Sequence, residues 1–131
     1  MKHFLFTNMN SDGSYSSDVF RLAYPHGVIT QCREESSNQL IEQWLMECEA
    51  LYENQMLWIV NLAINESTAE EIQYFIERNP NCVVQFIDHR NDTKWLNAYD
   101  WAYVNDIDHQ KSKNTLLDFL VKTNHYFSMA S

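Results

Sequence analysis

The chain has little of what interrupts regular structure: two glycines and two prolines in 131 positions. Flexible linkers need such residues, and no domain boundary, internal repeat or low-complexity tract is visible. One domain over residues 1–131 is the expectation. Cysteine is also scarce. Cys32, Cys48 and Cys82 stand far apart and match neither a zinc-ligand pair nor a disulfide framework. They are expected to be buried free thiols in a reducing compartment. Basic residues are few, nine against eighteen acidic, for a formal net charge of −9. That balance argues against non-specific nucleic-acid binding, which draws on clustered Lys and Arg. It suits solubility or a basic partner. No apolar run approaches membrane-spanning length, and the amino terminus lacks the apolar core of a secretion signal. A soluble, cytoplasmic protein without membrane contact is expected.

What is present is core-forming material. Hydrophobic residues make up 45% of the chain and aromatics 14%, enough to fold without disulfide staples. His3 to Thr7 reads as a first strand, followed by a loop from Asn8 to Tyr15 and a short helix capped by Ser16 or Ser17. Val28 to Cys32 is a second strand, polar afterwards and placed near an edge. Ser36 or Ser37 is expected to cap a helix whose Leu40, Ile41, Trp44, Leu45, Cys48 and Leu51 follow helical spacing. Met56 to Leu62 is apolar throughout and therefore central. Ser67 or Thr68 caps the next helix, which Asn79-Pro80 ends. Cys82 to Asp88 is a fourth strand, Asn91 to Asp100 a polar loop and Trp101 to Val104 a short fifth strand. Thr115, Leu116, Phe119 and Leu120 mark a last helix, extended to Tyr126. Alternating strands and helices predict an α/β fold: a Rossmann-like, mainly parallel sheet of about five strands with helices on both faces.

Three of the strands end in small polar side chains. Phe4-Leu5-Phe6 leads to Asn8, Asn10 and Asp12. Leu57 to Val60 leads to Asn61, and Val83 to Ile87 delivers Asp88, His89 and Arg90. Open parallel sheets place their sites at those carboxyl ends.

With these motifs the chain resembles the DHH family of phosphoesterases. Asn8-Met9-Asn10-Ser11-Asp12-Gly13 aligns with the family's H-x-D-x-D-G motif. Asn61 aligns with an Asp that ends a later strand, and Asp88-His89-Arg90 with Asp-His-His. The Trp95 loop and Lys111 to Leu117 add to the likeness, which spans most of residues 3 to 121. The resemblance implies a site for two divalent ions, usually manganese, that clamp a phosphate and generate a hydroxide nucleophile. Asp12, Asp88 and His89 would be its metal ligands if the domain is an enzyme acting on short oligonucleotides or cyclic dinucleotides. The departures weigh against that enzyme. Asn10 and Asn61 replace carboxylates, Asn8 replaces a His, and Arg90 stands where the second His would be. Losing two carboxylates and gaining one cation shifts the pocket by about three charge units against dications. Asp106 and Asp108 do not match the family's fourth motif, and a domain lacking that motif and the family's C-terminal substrate-binding domain is expected. The expectation is a degenerate, catalytically impaired domain with no cofactor, acting as a binding or inhibitory protein-interaction module. A metal-free binder of a phosphorylated ligand is the other alternative.

Each candidate has a plainer role. Asp12-Gly13 is also turn chemistry, Asn10 and Asn61 also cap loop backbone, and His89 also hydrogen-bonds a neighbouring loop. Arg90 would either pair with Asp88 or Asp12 or bind phosphate. Trp44, Trp95, Trp101, Tyr99 and Tyr103 lack basic neighbours and are expected to pack rather than stack on bases. The helix bearing Trp44 would offer a dimer face if the chain is an oligomer. His26, His109 and His125 lack ligand spacing.

Overall fold

The computed structural model describes residues 1–48, 53–105 and 115–123. Within them lies a five-stranded sheet in the order β2-β1-β3-β4-β5, every neighbouring pair parallel. The strands are β1 (Lys2–Asn8), β2 (Val28–Cys32), β3 (Gln55–Val60), β4 (Cys82–Asp88) and β5 (Ala102–Val104). Helices α1 (Ser11–Ala23), α2 (Glu34–Cys48), α3 (Glu66–Arg78) and α4 (Thr115–Lys122) cover it. This is the α/β architecture read from the sequence, with β2 at an edge and β3 in the middle.

Side-chain alternation along the strands builds two cores. Leu5, Met56, Trp58, Val60 and Ile87 point to one face and pack against α1 and α4 through Phe20, Leu116, Phe119 and Leu120. Phe6, Leu57, Ile59, Val84 and Phe86 point to the other and meet α2 and α3 through Ile41, Trp44, Ile72 and Phe75. A parallel strand between two helical layers has no solvent face, so β3 is buried at every residue. Trp44 and Trp101 are buried and Trp95 is exposed. Trp44 itself is therefore core, packed on Phe4 and Phe75.

The helix starts differ from the sequence reading. α1 begins at Ser11, inside the expected loop, with Asn10 as its cap. Gly, Ser and Asp are poor helix formers, and here a tertiary contact outweighs that preference. A Cβ on Gly13 would lie 1.5 Å from the carbonyl oxygen of Asn8, so glycine lets the helix start close against the end of β1. α2 begins at Glu34, ahead of the expected caps. Ser37 instead donates to the carbonyls of Glu34 and Ala63. Asn65, not Ser67 or Thr68, caps α3, its side chain accepting from the Thr68 amide. The polar loop after β4 is a 3₁₀ helix over Asn91–Ala98. Asp106, Asp108, His109, Lys111 to Asn114, His125 and Tyr126 lie outside the described residues. Among the described residues no helix is long and apolar enough to cross a membrane.

Candidate functional site

The chain leaves β1 towards β2 on one side and later towards β4 on the other, so the sheet has a switch point between β1 and β3. Ligands of such sheets bind outside the carboxyl ends at a switch point of this kind. The ends of β1, β3 and β4 carry the polar residues singled out above.

Asn61 is the first. Its φ is 60°, the left-handed region, and it is the only non-glycine residue there among those described. Asn tolerates this conformation better than branched residues do. The chain bends here as β3 ends and leaves Asn61 almost fully buried. Its backbone N–H donates to the carbonyl of Ile87 at 3.1 Å, continuing the ladder to β4. Its side-chain Nδ2 donates to Ser16 Oγ at 3.0 Å and to the Asp12 carbonyl at 3.5 Å. A carbonyl only accepts, which fixes the amide: Oδ1 faces the other way, 3.3 Å from His89 Nδ1. The proton between them therefore sits on Nδ1 of His89.

Asp88, the last residue of β4, has no solvent exposure. Its Oδ2 accepts from Arg90 Nε at 2.9 Å and from Thr93 Oγ1 at 2.8 Å. Its Oδ1 makes no hydrogen bond and lies 3.4 Å from His89 Nδ1. Arg90 also contacts Glu34, the first residue of α2, through Nη1. Glu34 in turn accepts from the amide of Ala63 at 3.1 Å, in the loop after β3. Desolvation of the partly buried guanidinium would lower its pKa, but Asp88 and Glu34 outweigh that and raise it, so Arg90 is always charged. Two carboxylates and one guanidinium leave this network with a net charge of −1.

The structure thus brings together Asn61, Asp88, His89 and Arg90. Arg90 pairs with Asp88, one of the two expected partners, and with Glu34 rather than Asp12. The Asp12 backbone carbonyl reaches Asn61. Asn10 is drawn away: its Oδ1 accepts from Gly13 N at 2.9 Å, the ordinary work of a helix cap. Asn8 presents its carbonyl beneath Gly13. Sequence reading missed Glu34, Thr93 and Ser16. Thr93 had a faint signal, a hydroxyl five residues beyond a strand-ending Asp. Glu34 had none, because only the fold carries α2 to the end of β4. Among the described residues no three His, Cys, Asp or Glu side chains are grouped so as to hold a metal ion.

The class defined so far is a Rossmann-like α/β domain with a charge-paired polar network at its switch point. No protein-family model and no curated protein matches the chain. Among solved structures it is similar to an uncharacterized protein from Helicobacter pylori G27, with a TM-score of 0.79 and 18% identity. That likeness covers 93% of this chain and 37% of that one, so the chain spans well under half of its length. A putative pilus assembly protein (cpaE) from Burkholderia thailandensis E264 aligns over 95% of this chain and 98% of that one, at 17% identity and a TM-score of 0.47. The first likeness is one of fold.

Proposed function

We propose that the chain is a DHH-like phosphoesterase domain whose metal centre has been replaced by an internal ion pair, and that it works by binding rather than by catalysis. The observation that carries this reading is the contact of Arg90 with Asp88 and Glu34. In the resemblance, Asp88 is a metal ligand and Arg90 occupies a ligand's position. A guanidinium cannot ligate, and it already holds one oxygen of the one carboxylate that β4 supplies. His89 turns Nδ1 to Asn61, which leaves Nε2 as its one nitrogen able to ligate. Asn10 caps α1. Two dications need several negative ligands around them, and this donor set does not fit them. The three buried cysteines, all free thiols, support a reducing compartment such as the cytoplasm.

Turnover assays test the proposal. Short oligonucleotides and cyclic dinucleotides incubated with the protein and manganese should remain intact. Hydrolysis that disappears in Asp88→Ala would overturn the proposal in favour of a manganese phosphodiesterase.

One observation favours a second reading, a metal-free site for a phosphorylated ligand. Nη2 of Arg90 is buried and has no acceptor. A phosphate oxygen would satisfy it, although the network's net negative charge opposes an anion. On this reading nucleotides raise the melting temperature of the wild type and not of Arg90→Ala; equal shifts in the two would dispose of it.

A further inference from the structure

The two helical layers differ in charge. α2 and α3 together carry four glutamates each and one cation, Arg78, a net charge of −7. α1 and α4 on the opposite face carry three acidic and two basic residues, a net charge of −1. Most of the chain's formal charge of −9 is therefore concentrated on one face. Between α2 and α3 on that face runs a groove of about 320 Å³, lined by Glu42, Leu45, Met46, Glu71, Phe75 and Arg78. Met46 is 76% exposed, the most exposed of the large hydrophobic residues described. Solvent gains nothing from such a side chain, and its flexible thioether adapts to an incoming apolar group.

We infer that this groove is a docking site for a basic amphipathic helix of a partner protein, with an apolar side chain of that helix seated against Met46, Leu45 and Phe75. Charge complementarity selects the occupant. A second copy of this face would bring like charges together, and nucleic acid or an anionic membrane would be repelled. A helix with Lys and Arg flanking an apolar stripe meets both the floor and the acidic rim. The inference rests on the reading of the domain as a binding module, but not on the state of the network around Asp88 and Arg90.

A fluorescein-labelled synthetic helix with leucines along one face and lysines elsewhere is the probe, followed by anisotropy with the full chain. Saturable binding is expected, weakening as salt is added. Met46→Asp and Glu71→Lys, both at exposed positions, should each weaken it by about tenfold or more, a change of about 1.4 kcal/mol. Asp18→Lys, an equal charge change on α1, should leave it within about twofold. Thermal midpoints of all three variants check that they fold. The inference is overturned by absence of binding, by equal binding when the leucines are replaced by alanine, or by equal weakening in Asp18→Lys and Glu71→Lys. A manganese-dependent phosphodiesterase activity would remove the reading of the Asp88–Arg90 network and leave these outcomes as they stand, so the two failures are distinguishable.

Discussion

The two ends of the same sheet are built by opposite means. At the carboxyl ends, β4 terminates in Asp88 and Asn61 follows β3 directly, and the two are held by polar groups around them: Arg90, Glu34, Thr93, Ser16 and His89. Towards the amino ends, aromatic packing prevails. His3 stacks on Tyr24 with ring centroids 3.7 Å apart, Tyr24 packs on Trp58, and the Trp58 indole N–H donates to His3 Nδ1 at 3.2 Å. The central strand β3 between them is buried on both faces, so it fixes both ends in space without dictating the chemistry of either. The difference shows that one parallel sheet can hold a buried charge-paired network at one end and an aromatic cluster at the other.

The largest effect should come from unpairing the buried carboxylate. Arg90→Met leaves Asp88 charged, buried and without its guanidinium, and should cost about 3–5 kcal/mol in urea unfolding. Asp88→Ala should be comparably damaging, whereas the double variant Asp88→Ala/Arg90→Met should lose clearly less than the sum. Strict additivity would break the contrast, because it would mean that the carboxyl end is not a coupled network. Next comes Gly13→Ala. Its Cβ would lie within 2.6 Å of both the Asn8 carbonyl carbon and oxygen, so the helix must move away, at about 3 kcal/mol or more. Smaller again is Thr93→Val, which keeps the shape and removes a hydroxyl bond to a charged acceptor, for about 1.5–3 kcal/mol.

The amino end should respond to pH in the alkaline range. Burial raises the Tyr24 phenol from 10.0 to about 12. The folded state therefore resists its ionisation while the unfolded chain does not. Stability from this group is complete below about pH 10 and is lost as the pH climbs through about 12. Burial likewise raises Cys48, from 9.0 to about 11, with the same sign beginning near pH 9. Urea midpoints measured between pH 8 and 11 should fall, and the fall should be shallower in Tyr24→Phe. An unchanged slope in that variant would remove Tyr24 from the account.

The sheet was readable in the chain because its cause is local. Runs such as Met56 to Val60 are apolar at every position, and only a strand buried on both faces calls for that pattern over so short a length. Helix starts were less readable. Asn10 and Gly13 look like a turn until the Asn8 carbonyl is seen beneath them, a contact that depends on packing rather than on propensity. The site divides in the same way. Asp88, His89, Arg90 and Asn61 are legible as polar residues placed where strands stop. Glu34 lies 56 positions from Arg90 and opens a helix that starts on the far side of β1, so no spacing rule links them. The pairing that decides the chemistry was therefore the part that only the fold could reveal.

Calorimetric titration of the purified wild-type protein with manganese tests the central claim most directly. If Arg90 has taken the cations' place, the titration will show heats of dilution alone. Saturable uptake of two ions per chain would contradict it.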